Sequence, residues 1–260
     1  MSVEPNGGPS RRAFYVVVPF HNEAAGMVAT LDALAAQSDT DFALVLVDNA
    51  STDDSAEVAR AFARRHPHLT IELIHEPRKG TGIASGTGFR CAIRRGACFI
   101  ARTDADCLPD ANWVWNLKRA FVDQGLEFVA GRIKPRTDDF VLSRFDRLII
   151  PVLLWLAEAT GKLRRRGRQF KYPYMLAAGN NLAITARLYE QAGGFAHTSI
   201  EQAHEDTLLA ETVRTLTSRG GVCPEAVVYN STRRVKRYGY ARTALWYIAH
   251  WCRPAEVDVR

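Results

Sequence analysis

Two aspartates one residue apart, Asp104 and Asp106 in ARTDADCLPD, follow directly on an apolar run. A strand alternates its side chains, so residues two apart point to the same side. Neighbouring carboxylates repel, and each raises the other's pKa unless a cation lies between them. The pair therefore reads as a divalent-cation site or as a polar turn. Other polar clusters bear on the choice. PFHNE (19–23) and VDNASTDDS (47–55) each close an apolar run, with Asp48 and Asn49 ending the second. Asp48 there is part of a turn and helix cap, or accepts hydrogen bonds from a nucleobase. AAGNN (177–181) sets a glycine and two amides before a strand, as a turn or a binding loop. HED (204–206) opens a helix. Its acidic pair is a first turn favoured by the helix dipole, or a general base aimed into a cleft.

The elements that must position these residues follow from periodicity. FYVVVP (14–19) and FALVLVD (42–48) are continuous apolar runs, as in strands buried on both faces. TIELIHE, CFIARTD and EFVAGRI are further strands, and NNLAIT and GVCPEAVVYN supply more after residue 135. Helices are expected from about Glu23 to Gln37, after Ser51–Asp54, at Trp113–Val122, Ala186–Gln191 and Glu205–Arg219, and at Ala241–Cys252. Gly80–Gly88 reads as a loop before a short helix at Arg90–Arg95, and Gly194–Glu205 as a surface loop. Strands alternating with helices imply a largely parallel sheet with helices on both faces, and ligands at the strands' carboxyl ends. Three of the polar clusters fall at such ends.

Composition narrows the class. At 260 residues, 47% hydrophobic and 24% charged, the chain is globular and large enough for a sizeable core. A net charge of +6 suits an anionic partner without naming one. Five cysteines, an odd number without CxxC spacing, read as reduced thiols of a cytoplasmic protein. Cys107 reads as a small side chain near the core edge, because a thiol is a poor magnesium ligand. Residues 1–12 are a polar leader, expected to be disordered. The longest apolar run, LIIPVLLWLA (148–157), falls short of the roughly 20 residues a bilayer span needs.

Glycines 80, 82, 86 and 88 follow a strand, yet a GxGxxG fingerprint would need glycine where Ser85 stands. A Walker A loop would end in Gly-Lys-Ser/Thr, whereas Phe89 and Arg90 follow here. Neither motif is present.

The five clusters, in this order and at these distances, resemble family 2 glycosyltransferases with a GT-A fold, over about residues 13–235. The resemblance implies an α/β fold with a nucleotide-sugar-binding half at 13–135, an acceptor and catalytic-base half at 136–235 and a basic, aromatic tail at 236–260, all in one domain. It places Pro19, His21, Glu23, Asp48 and Asn49 around the donor nucleotide, with Asp48 against the base. Asp104 would contact ribose and share with Asp106 the holding of Mn²⁺ or Mg²⁺ at the donor diphosphate. Gly179, Asn180 and Asn181 would face the acceptor. Asp206, with Glu205 beside it, would be the catalytic base.

The implied reaction is an inverting transfer from a nucleoside-diphosphate sugar, with a UDP- rather than a GDP-sugar expected. The chain departs from the processive synthases of the family. Where they carry QxxRW, it reads STRRVKRYGY (231–240), without tryptophan, so a non-processive enzyme is expected. Arg233, Arg234 and Arg237 there would clamp the diphosphate, or form a solvated basic tail.

The acceptor side is less legible. The apolar run at 148–157 lies beside Lys162, Arg164, Arg165, Arg166, Arg168 and Lys171, and Trp246, Tyr247 and Trp251 follow in the tail. These stretches form acceptor-side core or a homodimer contact, which we favour, or touch the inner membrane face around a lipid-like or large apolar acceptor. Two other functions remain open. A nucleotidyltransferase would want a Gly-rich, lysine-bearing loop after the first strand, which PFHNEA does not supply. An RNA-binding protein would show an RNP pattern among its aromatics, which is absent, so no nucleic-acid partner is expected.

Overall fold

The structure, a computed structural model, describes residues 13–136, 167–195 and 205–233, with Val152, Ala159, Gly161, Lys162 and Gly239 besides. The leader, the apolar run at 148–157 apart from Val152, the C-terminal helix, His204, Arg234 and Arg237 all lie outside the described residues.

The first half alternates β1 (Phe14–Phe20), α1 (Met27–Ala35), β2 (Ala43–Asp48), α2 (Ser55–Arg65), β3 (Thr70–His75), α3 (Thr81–Arg94) and β4 (Phe99–Arg102). The strands pair in parallel in the order β3-β2-β1-β4. Val16, Val17 and Val18 are fully buried, as a run apolar on both faces requires. The second half supplies β5 (Leu108–Pro109), α4 (Trp113–Val122), β6 (Phe128–Pro135), β7 (Leu182–Thr185), α5 (Ala186–Gln191), α6 (Glu205–Leu216) and β8 (Gly220–Asn230). It continues the same sheet through β7, β6, β8 and β5. β7 runs antiparallel to β4 and β6, while β8 runs parallel to β6. The carboxyl ends of β1, β2, β3, β4, β6 and β8 therefore share one edge, where the polar clusters gather.

Helices cover both faces. Leu31 of α1, Phe62 of α2 and Trp113 and Leu117 of α4 pack on one side of the sheet. Phe89 of α3, Leu188 of α5 and Val213 of α6 pack on the other. Among the described residues, no helix is long and apolar enough to cross a membrane.

Two expectations need correction. The glycines at 80–88 are not a loop: α3 runs from Thr81 to Arg94 and contains Gly82, Gly86 and Gly88. They let the helix lie close to the sheet. A Cβ on Gly88 would sit 2.4 Å from Cγ1 of Val17 and 2.9 Å from Cγ2 of Val47. The first helix starts at Met27 rather than Glu23, because the intervening backbone is tied to the loop after β2. The Glu23 N–H donates to Ser55 Oγ at 2.7 Å, and the Ala24 N–H to Asp53 Oδ2 at 3.2 Å.

Candidate active site

The loops after β1 and β2 are sewn together by their own polar side chains. Asn22 and Ala50 hold positive φ angles of 51° and 56°. Asn22 Oδ1 accepts the Thr52 N–H at 2.7 Å, and the Asn22 N–H donates to Ser51 Oγ at 3.1 Å. Much of PFHNE and VDNASTDDS thus builds the rim of the site. Asp48 is buried, with Oδ1 accepting the Ser51 N–H and Oδ2 lying 3.0 Å from Nδ1 of His75. His21 Nδ1 lies 2.8 Å from the Asn49 carbonyl oxygen.

Asn49 is a strut. Its Nδ2 donates to the carbonyls of Glu76 and Arg78 at 3.1 and 2.6 Å, and its Oδ1 accepts the Gly80 N–H at 2.8 Å. The side chain shapes the loop from 76 to 80. That loop holds a group sequence reasoning missed. Buried Glu76 accepts from Arg78 Nε at 2.9 Å and Thr87 Oγ1 at 2.7 Å. The Arg78 bond above all holds its carboxyl down at about 2. The EPRKG stretch carried the signal, a carboxylate two residues before an arginine at a strand end.

Each aspartate of TDAD has its own arginine. Asp104 Oδ1 accepts from Arg102 Nε at 3.2 Å and Nη2 at 3.1 Å. Loss of surrounding water nonetheless raises the Asp104 carboxyl, with Arg102 pulling the other way and Asp106 adding to the rise. Asp106 Oδ2 lies 3.1 Å from Nη2 of Arg233, whose same nitrogen binds Glu23 at 2.8 and 3.0 Å. Buried Arg136, also missed, donates from Nη1 to the Asp106 carbonyl at 2.9 Å. Pro19 lies in β1, paired with Val47.

On the base side, the Gly179 N–H donates to Asp206 Oδ2 at 2.7 Å, and the Thr207 N–H to Oδ1 at 2.6 Å. Glu205 is 5% exposed, and its Oε1 accepts from Arg102 Nη1 at 3.0 Å. It is an anchor of α6, held by a buried ion pair to β4. Asn181 is 1% exposed. Its Oδ1 accepts from Trp113 Nε1, and its Nδ2 donates to the carbonyls of Arg132 and Ala226. It ties α4, β6 and β8 together. Asn180 differs: its Nδ2 reaches Cys107 Sγ at 3.6 Å while its buried Oδ1 has no partner among the described residues.

The donor set suits a hard divalent cation. The side chains of Asp104 and Asp106 keep 34% and 30% of their exposure at the open edge. Among the described residues no three His, Cys, Asp or Glu side chains converge. A cation here would take one or two carboxylate oxygens and complete its shell from water and substrate phosphate, as magnesium does. Burial, then the two aspartates, push the Cys107 thiol well above its ordinary range.

Residues 15–190 match the sequence profile of glycosyl transferase family 2. The chain belongs to that family. A PGL/p-HBAD biosynthesis glycosyltransferase of Mycobacterium bovis is 44% identical over 94 residues, 35% of this chain and 36% of that protein. Glycosyltransferase AglE of Haloferax volcanii is 28% identical over 121 residues, 46% of this chain and 38% of the other. The matches thus span well under half the length of these relatives. Among solved structures, the mannosyltransferase PcManGT of Pyrobaculum calidifontis, in complex with GDP-Man and Mn²⁺, superposes with a TM-score of 0.63 at 22% identity, covering 94% of this chain and 66% of that one. S. aureus TarS in complex with UDP-GlcNAc gives 0.63 at 15% identity, covering 85% and 58%. At these identities the likeness is one of fold, and the fold is GT-A.

Proposed function

We propose that the chain is a metal-dependent, inverting, non-processive glycosyltransferase that moves a sugar from a nucleoside-diphosphate sugar to an acceptor hydroxyl. The observation that carries this is the single cluster at the sheet edge in which Arg102 bonds Asp104 on one side and Glu205, next to Asp206, on the other. Donor-side carboxylates and a base carboxylate meet there, as a one-step displacement requires.

Asp206 is the general base, its carboxylate aimed by the Gly179 N–H. It takes the proton of the acceptor hydroxyl as that oxygen attacks the anomeric carbon opposite the leaving diphosphate. One displacement inverts the centre. Asp106 is the residue that would hold Mn²⁺ or Mg²⁺, with Asp104 beside it. The ion would supply positive charge to the departing diphosphate. Arg233, within reach of Asp106, adds a second cation there. Asp48, at the end of β2 with Oδ2 3.0 Å from Nδ1 of His75, would accept hydrogen bonds from the nucleobase. A UDP-sugar is the proposed donor.

Asp206→Asn tests the assignment. Release of nucleoside diphosphate should fall by about 100-fold or more while donor affinity by calorimetry stays within about threefold. Turnover retained in Asp206→Asn would remove Asp206 from the reaction.

A further inference from the structure

Arg102 is 2% exposed, and its guanidinium touches three separate parts of the site. Nε and Nη2 hold Asp104, and Nη1 holds Glu205, 103 residues further along the chain. The third part is Gly179, where a Cβ would sit 2.9 Å from Cζ and Nη1 of Arg102. Cζ also lies 5.6 Å from the centre of the Phe195 ring. Two of these contacts bear directly on Asp206. Gly179 is the residue whose N–H binds the Asp206 carboxylate, and Glu205 is the residue before it. The side chain of the residue before the base, and the residue whose N–H binds the base's carboxylate, thus both meet one guanidinium, and the same guanidinium fixes the donor-side aspartate.

We propose that Arg102 is a positioning residue for the transfer: it fixes Asp206 relative to the Asp104–Asp106 pair, with Glu205 as its anchor. The proposal rests on the glycosyltransferase reading of the site. The chemistry favours arginine for this task. Its rigid fork presents donors in fixed directions and stays charged when buried, whereas lysine offers a point charge on a flexible stem. Misplacing a reacting group by about 1 Å costs on the order of 100-fold in rate. A residue buried only to fill the core would have no reason to divide its donors between carboxylates on opposite sides of the reaction.

Arg102 acts here through Asp206, so its effect must vanish when Asp206 cannot act. Nucleoside diphosphate release is measured from a panel of UDP- and GDP-sugars with Mn²⁺, in wild type, Arg102→Lys, Asp206→Asn and the double variant. Arg102→Lys should lower kcat about 100-fold with donor KM within about threefold, and change kcat less than about threefold in the Asp206→Asn background. Glu205→Gln, which keeps an acceptor oxygen at the same place, should repeat the pattern. It serves if Arg102→Lys does not fold, as judged by thermal unfolding. Losses that multiply in both backgrounds, or no loss in the wild-type background, overturn the positioning role while leaving the enzyme reading intact. A folded wild type that hydrolyses none of the sugar nucleotides overturns both.

Discussion

Nη2 of Arg233 lies 3.1 Å from Oδ2 of Asp106, joining residues 127 apart in sequence. A guanidinium thus neutralises the carboxylate that a divalent cation would use, and it holds Glu23 at the same time. A metal ion at Asp106, as proposed, would compete with this arginine, whereas a diphosphate would attract both. The arrangement would then favour joint binding of metal and donor over binding of metal alone.

Arg233→Met separates the two effects. It removes the competing cation and leaves the carboxylates of Glu23 and Asp106 without it, so repulsion between them favours a metal ion. Mn²⁺ alone, titrated by electron paramagnetic resonance, should bind several-fold more tightly than to wild type. UDP measured with saturating Mn²⁺ should bind about 10-fold more weakly, through the lost contact to phosphate. Unchanged affinity for Mn²⁺ alone would show that Arg233 does not compete at Asp106.

Gly88 gives a stability prediction. Gly88→Ala places a methyl group 2.4 Å from Val17 Cγ1, a side chain in the middle of the sheet. Overpacking of this kind costs about 1–3 kcal/mol, and the better helix propensity of alanine returns only about 1. Chemical denaturation should show a net loss of up to about 2 kcal/mol. Gly86→Ala is the control, since its nearest neighbour is the tip of Arg90 at 3.2 Å, which can move away. It should be neutral or stabilising. Equal losses in both would mean that α3 does not depend on close approach at Gly88.

Glu76 gives a pH prediction. Its carboxyl is held at about 2, below an ordinary 4.5. A depressed carboxylate contributes stability that is fully present above 4.5 and is lost as pH falls toward 2. With buried Glu76 paired to an exposed Arg78, the contribution is on the order of 2 kcal/mol. Glu76→Gln should therefore be less stable than wild type at pH 7, with the gap closing as the pH drops through that window. A gap that stays constant with pH would remove the ionised pair as its source.

The buried strands of the first half and the helix at Trp113–Val122 were legible in the sequence because their patterns are local: apolar runs closed by polar clusters, and apolar residues at helical spacing. The order of the clusters carried the family. What was not legible depends on partners far along the chain. Gly88 reads as a loop residue until Val17 and Val47 are set beneath it. Asn49 and Asn181 have the composition of ligands, and only their surroundings show amides already used by the fold. Glu205 reads as half of an acidic pair until Arg102 arrives from β4. In each case side-chain chemistry was visible in the sequence and its occupancy was not.

The central claim is that the sheet edge binds a nucleoside-diphosphate sugar through a metal at Asp106 and transfers its sugar. The most direct measurement is release of nucleoside diphosphate from UDP- and GDP-sugars, with and without Mn²⁺, by wild type and Asp106→Ala. The account predicts turnover of at least one UDP-sugar that requires the metal and falls by about 100-fold or more in Asp106→Ala. Turnover of none of the sugar nucleotides by folded wild type, or turnover unaffected by both the metal and the substitution, would contradict it.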